Sequence, residues 1–98
     1  MTVENLHPTA GVRLLLEHVS DDAAGATYTG AVYTPAERFG YAVTFRLPGG
    51  EVELTATGHA GATGVDLLRA QARVLARQAL ATTPPTWPRR LLRWRETR

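Results

Sequence analysis

Residues 41–47 and 51–57 alternate apolar and polar side chains on either side of Pro48-Gly49-Gly50, and few folds accommodate that pattern. In the first run Tyr41, Val43, Phe45 and Leu47 alternate with Ala42, Thr44 and Arg46. In the second, Val52, Leu54 and Ala56 alternate with Glu51, Glu53, Thr55 and Thr57. A period of two places each set on one side of a strand. Two such runs joined by a short Pro/Gly turn read as an antiparallel hairpin.

The period then changes. Over residues 65–81, Leu68, Ala72, Leu75 and Ala79 fall within a narrow arc of the helical wheel. Leu67 and Val74 widen that arc on one side and Ala76 on the other, while Arg69, Arg73 and Arg77 recur every four residues on the opposite face. Leu, Ala, Gln and Arg all favour helix, and small alanines let a helix lie close to a sheet. Glycine-rich residues 58–64 precede this helix, with Thr63 and Asp66 spaced for a capping box. Residues 26–34, rich in Thr, Tyr and Val, read as a strand ended by Pro35. Asp21, Asp22 and Gly25 read as the turn before it.

Residues 12–20, VRLLLEHVS, fit two templates. As a strand, Val12, Leu14, Leu16 and His18 share a face; as a helix, Val12, Leu15, Leu16 and Val19 share a stripe. We read the segment as a strand and keep helix as the alternative. The expectation is a two-layer α+β domain over residues 1–81, with a three- or four-stranded antiparallel sheet and one long helix packed on one face. Pro84, Pro85 and Pro88 interrupt the chain next. Residues 82–98 then read as a basic Pro/Arg/Trp-rich tail, with a short last helix at RRLLRWRE as one option. At 98 residues there is room for one domain, whose small core must be compact or helped by a second copy.

The net charge of +2 conceals a division along the chain. Residues 1–68 hold three arginines against eight acids, and residues 69–98 hold eight arginines against Glu96 alone. There is no lysine and no cysteine, which removes disulfides, thiol nucleophiles and Cys-based metal sites. No run approaches the roughly 20 apolar residues of a membrane span. Met1 to Leu6 lacks the basic and apolar regions of a signal peptide, so a cytoplasmic protein is expected.

Catalytic chemistry finds little support. His7, His18 and His59 have no metal-ligand spacing, and Ser20 is the single serine. Glu51 and Glu53 point the same way on a strand, as a solvated sheet face would have them. A catalytic site would need Glu51, Glu53, His59 and Asp66 to converge. GHAGATG lacks the lysine of a phosphate-binding loop. No cofactor and no metal are expected, and the chain reads as a binding module, not an enzyme.

By layout, residues 28–80 resemble two families. HPTAGVRLLLEH, then TPAERFGYAVTFRLPGG, then a helix ending ARQAL is similar to the helix–three strands–helix order of double-stranded RNA-binding domains. That resemblance implies a helix at residues 12–20 and RNA as ligand. The family's Lys-Lys-x-Ala-Lys signature is replaced here by LLRAQA, so its phosphate-gripping cluster is missing. YTGAV, FGYAVTFR and the Ala-rich helix also resemble the first half of a ribonuclease H-like fold. There Gly30 stands where that family has its first aspartate, and its helix carboxylate is matched at best by Asp66, or by Arg69 if the helix ends are aligned. Metal-dependent cleavage would then be lost.

The basic segment carries the functional expectation. Arg69, Arg73 and Arg77 form a row about 12 Å long. Arg89, Arg90, Arg93 and Arg95 extend it, and Trp94 offers a ring on which a base can stack. The expected partner is DNA or RNA. The alternative is a protein-interaction or assembly domain, including a homodimer, or a purely structural domain.

Overall fold

The computed structural model of the chain describes residues 7–58 and 64–96. Four strands run as an antiparallel meander: β1 (Val12–Asp22), β2 (Gly25–Tyr33), β3 (Arg38–Arg46) and β4 (Glu51–Ala56). Helix α1 (Val65–Ala79) follows, and the chain ends in β5 (Arg90–Arg95). The sheet has five strands in the order β4-β3-β2-β1-β5. The α+β class and the antiparallel sheet are as the sequence indicates, but the strand count is not. Residues 90–95, expected in a tail or a short helix, pair with β1 from Val12↔Arg95 to Glu17↔Arg90.

The register sorts side chains onto two sides. Leu14 lies beside Val32, His18 beside Tyr28, Tyr28 beside Val43, and Val43 beside Leu54. These residues belong to the helix side. Val12, Leu14, Leu16, Tyr28, Val32, Val43 and Phe45 are nearly inaccessible there, packed with Leu68, Ala72 and Leu75 of α1. Fully burying an aliphatic or aromatic side chain contributes about 1.5–3 kcal/mol, so this seam dominates stability. The alternate residues form the other side, called open here because no helix lies on it among the described residues; residues 7–10 lie against its Trp94–Tyr33 end, where Trp94 Nε1 donates to Ala10 O at 2.8 Å and the His7 ring meets Tyr33 edge-on at 5.2 Å.

Residues 12–20 are extended, and the whole of β1 explains their ambiguous pattern. This strand is flanked by β2 and β5. Leu14 and Leu16 face α1, while Leu15 is only 5% exposed on the open side, beside Leu92 and Ala31. A strand sheltered on both faces loses its alternation. The helix at this position implied by the likeness to double-stranded RNA-binding domains is therefore absent. A register shift between His18 and Ser20 leaves Val19 exposed. The turn follows at Ala23 and Ala24, with Asp22 Oδ1 accepting from the amides of Ala24 and Gly25.

Helix α1 begins at Gly64, whose φ of 79° no β-carbon would favour, and no side chain caps it. Thr63, the cap expected from sequence, lies outside the described residues. The helix seats closely because Gly30 leaves space beneath it. A Cβ at Gly30 would lie 2.9 Å from Val43 Cγ2 and 3.2 Å from Leu68 Cδ2. The four strands before α1 also depart from the three of the ribonuclease H-like order. Beyond α1, residues 80–89 bring Trp87 against the core, with ring centroids 5.4 Å from Phe45 and 6.4 Å from Tyr28. Among the described residues no helix is long and apolar enough to cross a membrane.

Candidate nucleic-acid interface

The arginine row occupies the outer surface of α1, because the apolar arc faces the sheet. Arg69 is half-buried, and its Nη1 donates to Asp66 Oδ1 at 3.3 Å. Asp66 is the acidic residue of the first turn and Arg77 the basic residue of the last, an arrangement the helix dipole favours at both ends. Arg73 and Arg77 are exposed, and among the described residues neither has an ion pair or side-chain hydrogen bond. One helical turn, about 5.4 Å, separates them. They flank a groove of about 360 Å³ floored by Gly49, Gly50, Ala76 and Leu80. The hairpin turn that the sequence announces thus forms one wall of the space beside the arginines.

The remaining basic residues divide. Leu91 pairs with Leu16 and is buried, so Arg93 and Arg95, at alternate positions, belong to the helix side. Their guanidinium groups donate to carbonyls of their own strand, Arg93 Nη1 to Leu92 O at 2.9 Å and Arg95 Nη1 to Trp94 O at 3.0 Å. Charged side chains on an edge strand protect it from pairing with another chain. Arg89 lies just before β5, where its carbonyl accepts from the His18 amide at 2.9 Å. Arg90 and Trp94 point to the open side, beside Glu17 and Arg13 respectively. The indole of Trp94 is 48% exposed, and its Nε1 donates to Ala10 O at 2.8 Å. The residues expected to form one basic surface therefore occupy two sides of the domain.

The sequence reading missed Arg13, Tyr33 and Arg38. The register places them in one row with Trp94, across β5, β1, β2 and β3. Arg38 Nε donates to the Tyr33 hydroxyl at 3.1 Å, and its guanidinium lies 5.6 Å from that ring's centroid. No local pattern could find this row, because it depends on pairings between distant segments.

The open side carries charges of both signs. Arg13, Arg38, Arg46 and Arg90 share it with Glu17, Glu51 and Glu53. Arg46 Nη2 lies 2.6 Å from Glu53 Oε2, an exposed pair contributing under about 1 kcal/mol. A second groove, of about 420 Å³, lies at the β1–β2 turn and is lined by Asp21 and Asp22, which oppose an anion there. Asp21 Oδ2 is 2.6 Å from His18 Nε2, and the His18 ring meets Tyr28 edge-on at 5.3 Å.

Glu51 and Glu53 project from β4 to the open side and Asp66 from α1 on the other layer, so these three do not converge. His59 lies outside the described residues. Among the described residues no group of three or more His, Cys, Asp or Glu is placed to hold a metal ion. No family model, no curated protein and no solved structure matches the chain.

Proposed function

We propose that this protein is a non-enzymatic nucleic-acid-binding module that holds phosphates on the outer surface of α1. Arg73 and Arg77 make the first contacts, Arg69 continues the row, and Arg89, Arg93 and Arg95 extend the positive field at the β5 edge. The observation that carries this reading is the state of Arg73 and Arg77, which are exposed, one turn apart and free of ion-pair or hydrogen-bond partners among the described residues. A guanidinium already held by a carboxylate must exchange one anion for another, whereas these two exchange only water and counterions. The glycine turn opposite lets a backbone approach them without meeting side chains. Such contacts go to phosphate and do not read sequence. The open side, with its mixed charge, is the weaker candidate for a polyanion.

The test is a titration with single- and double-stranded DNA and RNA at low salt, comparing the native protein with the Arg73→Ala/Arg77→Ala variant. Both positions are solvent-facing, so the variant is expected to fold normally. Binding by the native protein and marked weakening in the variant is the expected result. No binding at low salt ends the nucleic-acid reading, and equal binding by both proteins removes α1 as the site.

A further inference from the structure

The two edges of the sheet are unlike. The Leu47 amide donates to Ala24 O and the Thr57 amide to Gly40 O, which fixes the phase of β3 and β4. In an antiparallel ladder, alternate residues turn their amides and carbonyls to opposite sides. Glu51, Glu53 and Thr55 therefore bond to β3, while Val52, Leu54 and Ala56 turn theirs outward from the β4 edge. At the other edge the His18 amide donates to Arg89 O, so Leu92 and Trp94 turn their carbonyls outward from β5. Those carbonyls are already taken, Leu92 O by Arg93 Nη1 at 2.9 Å and Trp94 O by Arg95 Nη1 at 3.0 Å. Nothing among the described residues pairs with the outward groups of β4. Space lies beside that edge: Val52 and Leu54 are half-buried, Ala56 is exposed, and a Cβ at Gly58 would meet nothing within 4 Å. Gly64, where α1 begins, lies against Val32 of β2, two strands inward.

We propose that the β4 edge is completed by β4 of a second copy of this chain, antiparallel about a two-fold axis at Leu54, so that the two sheets become one. Leu54 then lies beside Leu54 and Val52 beside Ala56 of the other copy, and each outward amide and carbonyl gains a partner. On the open side Glu53 lies beside Thr55, and Glu51 beside Thr57. Arg38 stands just behind Thr57: a Cβ at Gly40 would lie 2.8 Å from Thr57 Oγ1 and 3.1 Å from Arg38 Nη1. Glu51 of each copy thus comes within reach of the Arg38 guanidinium of the other. Within one copy these two side chains sit at opposite ends of the hairpin, about 20 Å apart. Neither has an ion pair among the described residues. The same charges select the register. Sliding the copies by two residues one way sets Glu53 against Glu53. Sliding them the other way carries Glu51 past Thr57 and away from Arg38.

A second copy fits this edge better than an open-ended array. A β4–β5 contact between copies would be head-to-tail and would repeat into a filament. The guanidinium groups of Arg93 and Arg95 on the β5 carbonyls close that route. Pairing β4 with β4 uses the free edge once in each copy and stops at two. The shared strip is about 20 Å long and one sheet, about 10 Å, thick. That is well below the roughly 800 Å² per partner of a standard stable interface, so the dimer is weak and concentration-dependent. The axis is perpendicular to the sheet, which leaves both α1 helices on one side and both arginine rows facing the same way. Dimerisation is measured without oligonucleotide, so it stands or falls separately from nucleic-acid binding.

The experiment is sedimentation equilibrium from micromolar to submillimolar protein on the native chain, on Ala56→Pro, on Glu51→Arg, on Arg38→Glu, and on an equal mixture of the last two. The native protein is expected to dimerise. Proline at position 56 removes an outward amide that β3 does not use, so this variant keeps its circular dichroism and dimerises about tenfold more weakly or worse. Each charge variant alone sets like charges together at both Glu51–Arg38 contacts and weakens association similarly. In the mixture, the arginines of the first variant meet the glutamates of the second, and association returns to near the native level. A misfolded variant could not produce that recovery. The chain has no cysteine, which permits a test of register. Facing Leu54 positions lie about 5.5 Å apart between Cα atoms, within disulfide reach, so Leu54→Cys is expected to link into a covalent dimer on mild oxidation. Ala56→Cys, which faces Val52, is not. This cysteine pair decides the matter if Ala56→Pro fails to fold. A native protein that stays monomeric throughout overturns the proposal. So does a dimer undiminished in folded Ala56→Pro, a mixture no more associated than its folded components, or Ala56→Cys linking as readily as Leu54→Cys.

Discussion

The phenol of Tyr28, on β2, donates a hydrogen bond to the carbonyl of Pro88, 60 residues further along the chain. That bond ties the centre of the sheet to the segment leading into β5. Tyr28 is fully buried, and burial, helped by the charge of nearby Asp21, pushes its pKa up to about 12. The unfolded chain loses this proton nearer the ordinary value of 10. Stability from this source is complete below pH 10 and declines as pH rises from 10 to about 12. Denaturant midpoints across that range should fall less steeply in Tyr28→Phe than in the native protein. At neutral pH the variant is expected to lose about 1–2 kcal/mol, because the Pro88 carbonyl loses the phenol as its donor.

The last strand can be tested through its one buried side chain. Leu91 is 7% exposed and lies beside Leu16 in the core. Leu91→Ala should cost about 2–4 kcal/mol in urea unfolding, as for any core leucine. A change below about 0.5 kcal/mol would mean that residues 90–95 are an appendage and not part of the sheet.

Gly30 permits the close seating of α1. Any side chain there pushes Leu68 away from Val43. Gly30→Val should destabilise by about 1–3 kcal/mol or more, and should disturb the near-ultraviolet circular dichroism of the neighbouring aromatics. Wild-type stability in this variant would show that the helix does not approach β2 so closely.

The parts of this fold written in local periodicity were legible from sequence. The β3–β4 hairpin and α1 have clean periods of two and of 3.6, and Leu68, Ala72, Leu75 and Ala79 are buried as their arc requires. The Leu14-Leu15-Leu16 run was ambiguous because β1 is sheltered on both faces. β5 was not legible at all. Its adjacent Leu91 and Leu92 serve opposite sides of the sheet, its arginines sit on both, and an edge strand needs no clean alternation. Trp87 reads as part of a tail because its partners, Tyr28 and Phe45, are far away in sequence. The same limit applied to the candidate site. The α1 arginine row could be read from its four-residue spacing. The split between the helix side and the open side arises only from register.

Phosphate contact leaves a quantitative signature in salt. Each neutralised phosphate releases counterions, so the logarithm of affinity falls linearly with the logarithm of salt concentration, by about 0.7 per contact for single strands and about 0.9 for duplex. The decisive measurement is that slope for the native protein and for Arg73→Ala/Arg77→Ala on one oligonucleotide of each kind. If α1 holds two phosphates through these residues, the variant's slope is shallower by about 1.4 on single strands and about 1.8 on duplex. Parallel lines for the two proteins, or no binding at the lowest salt, would contradict the proposed function.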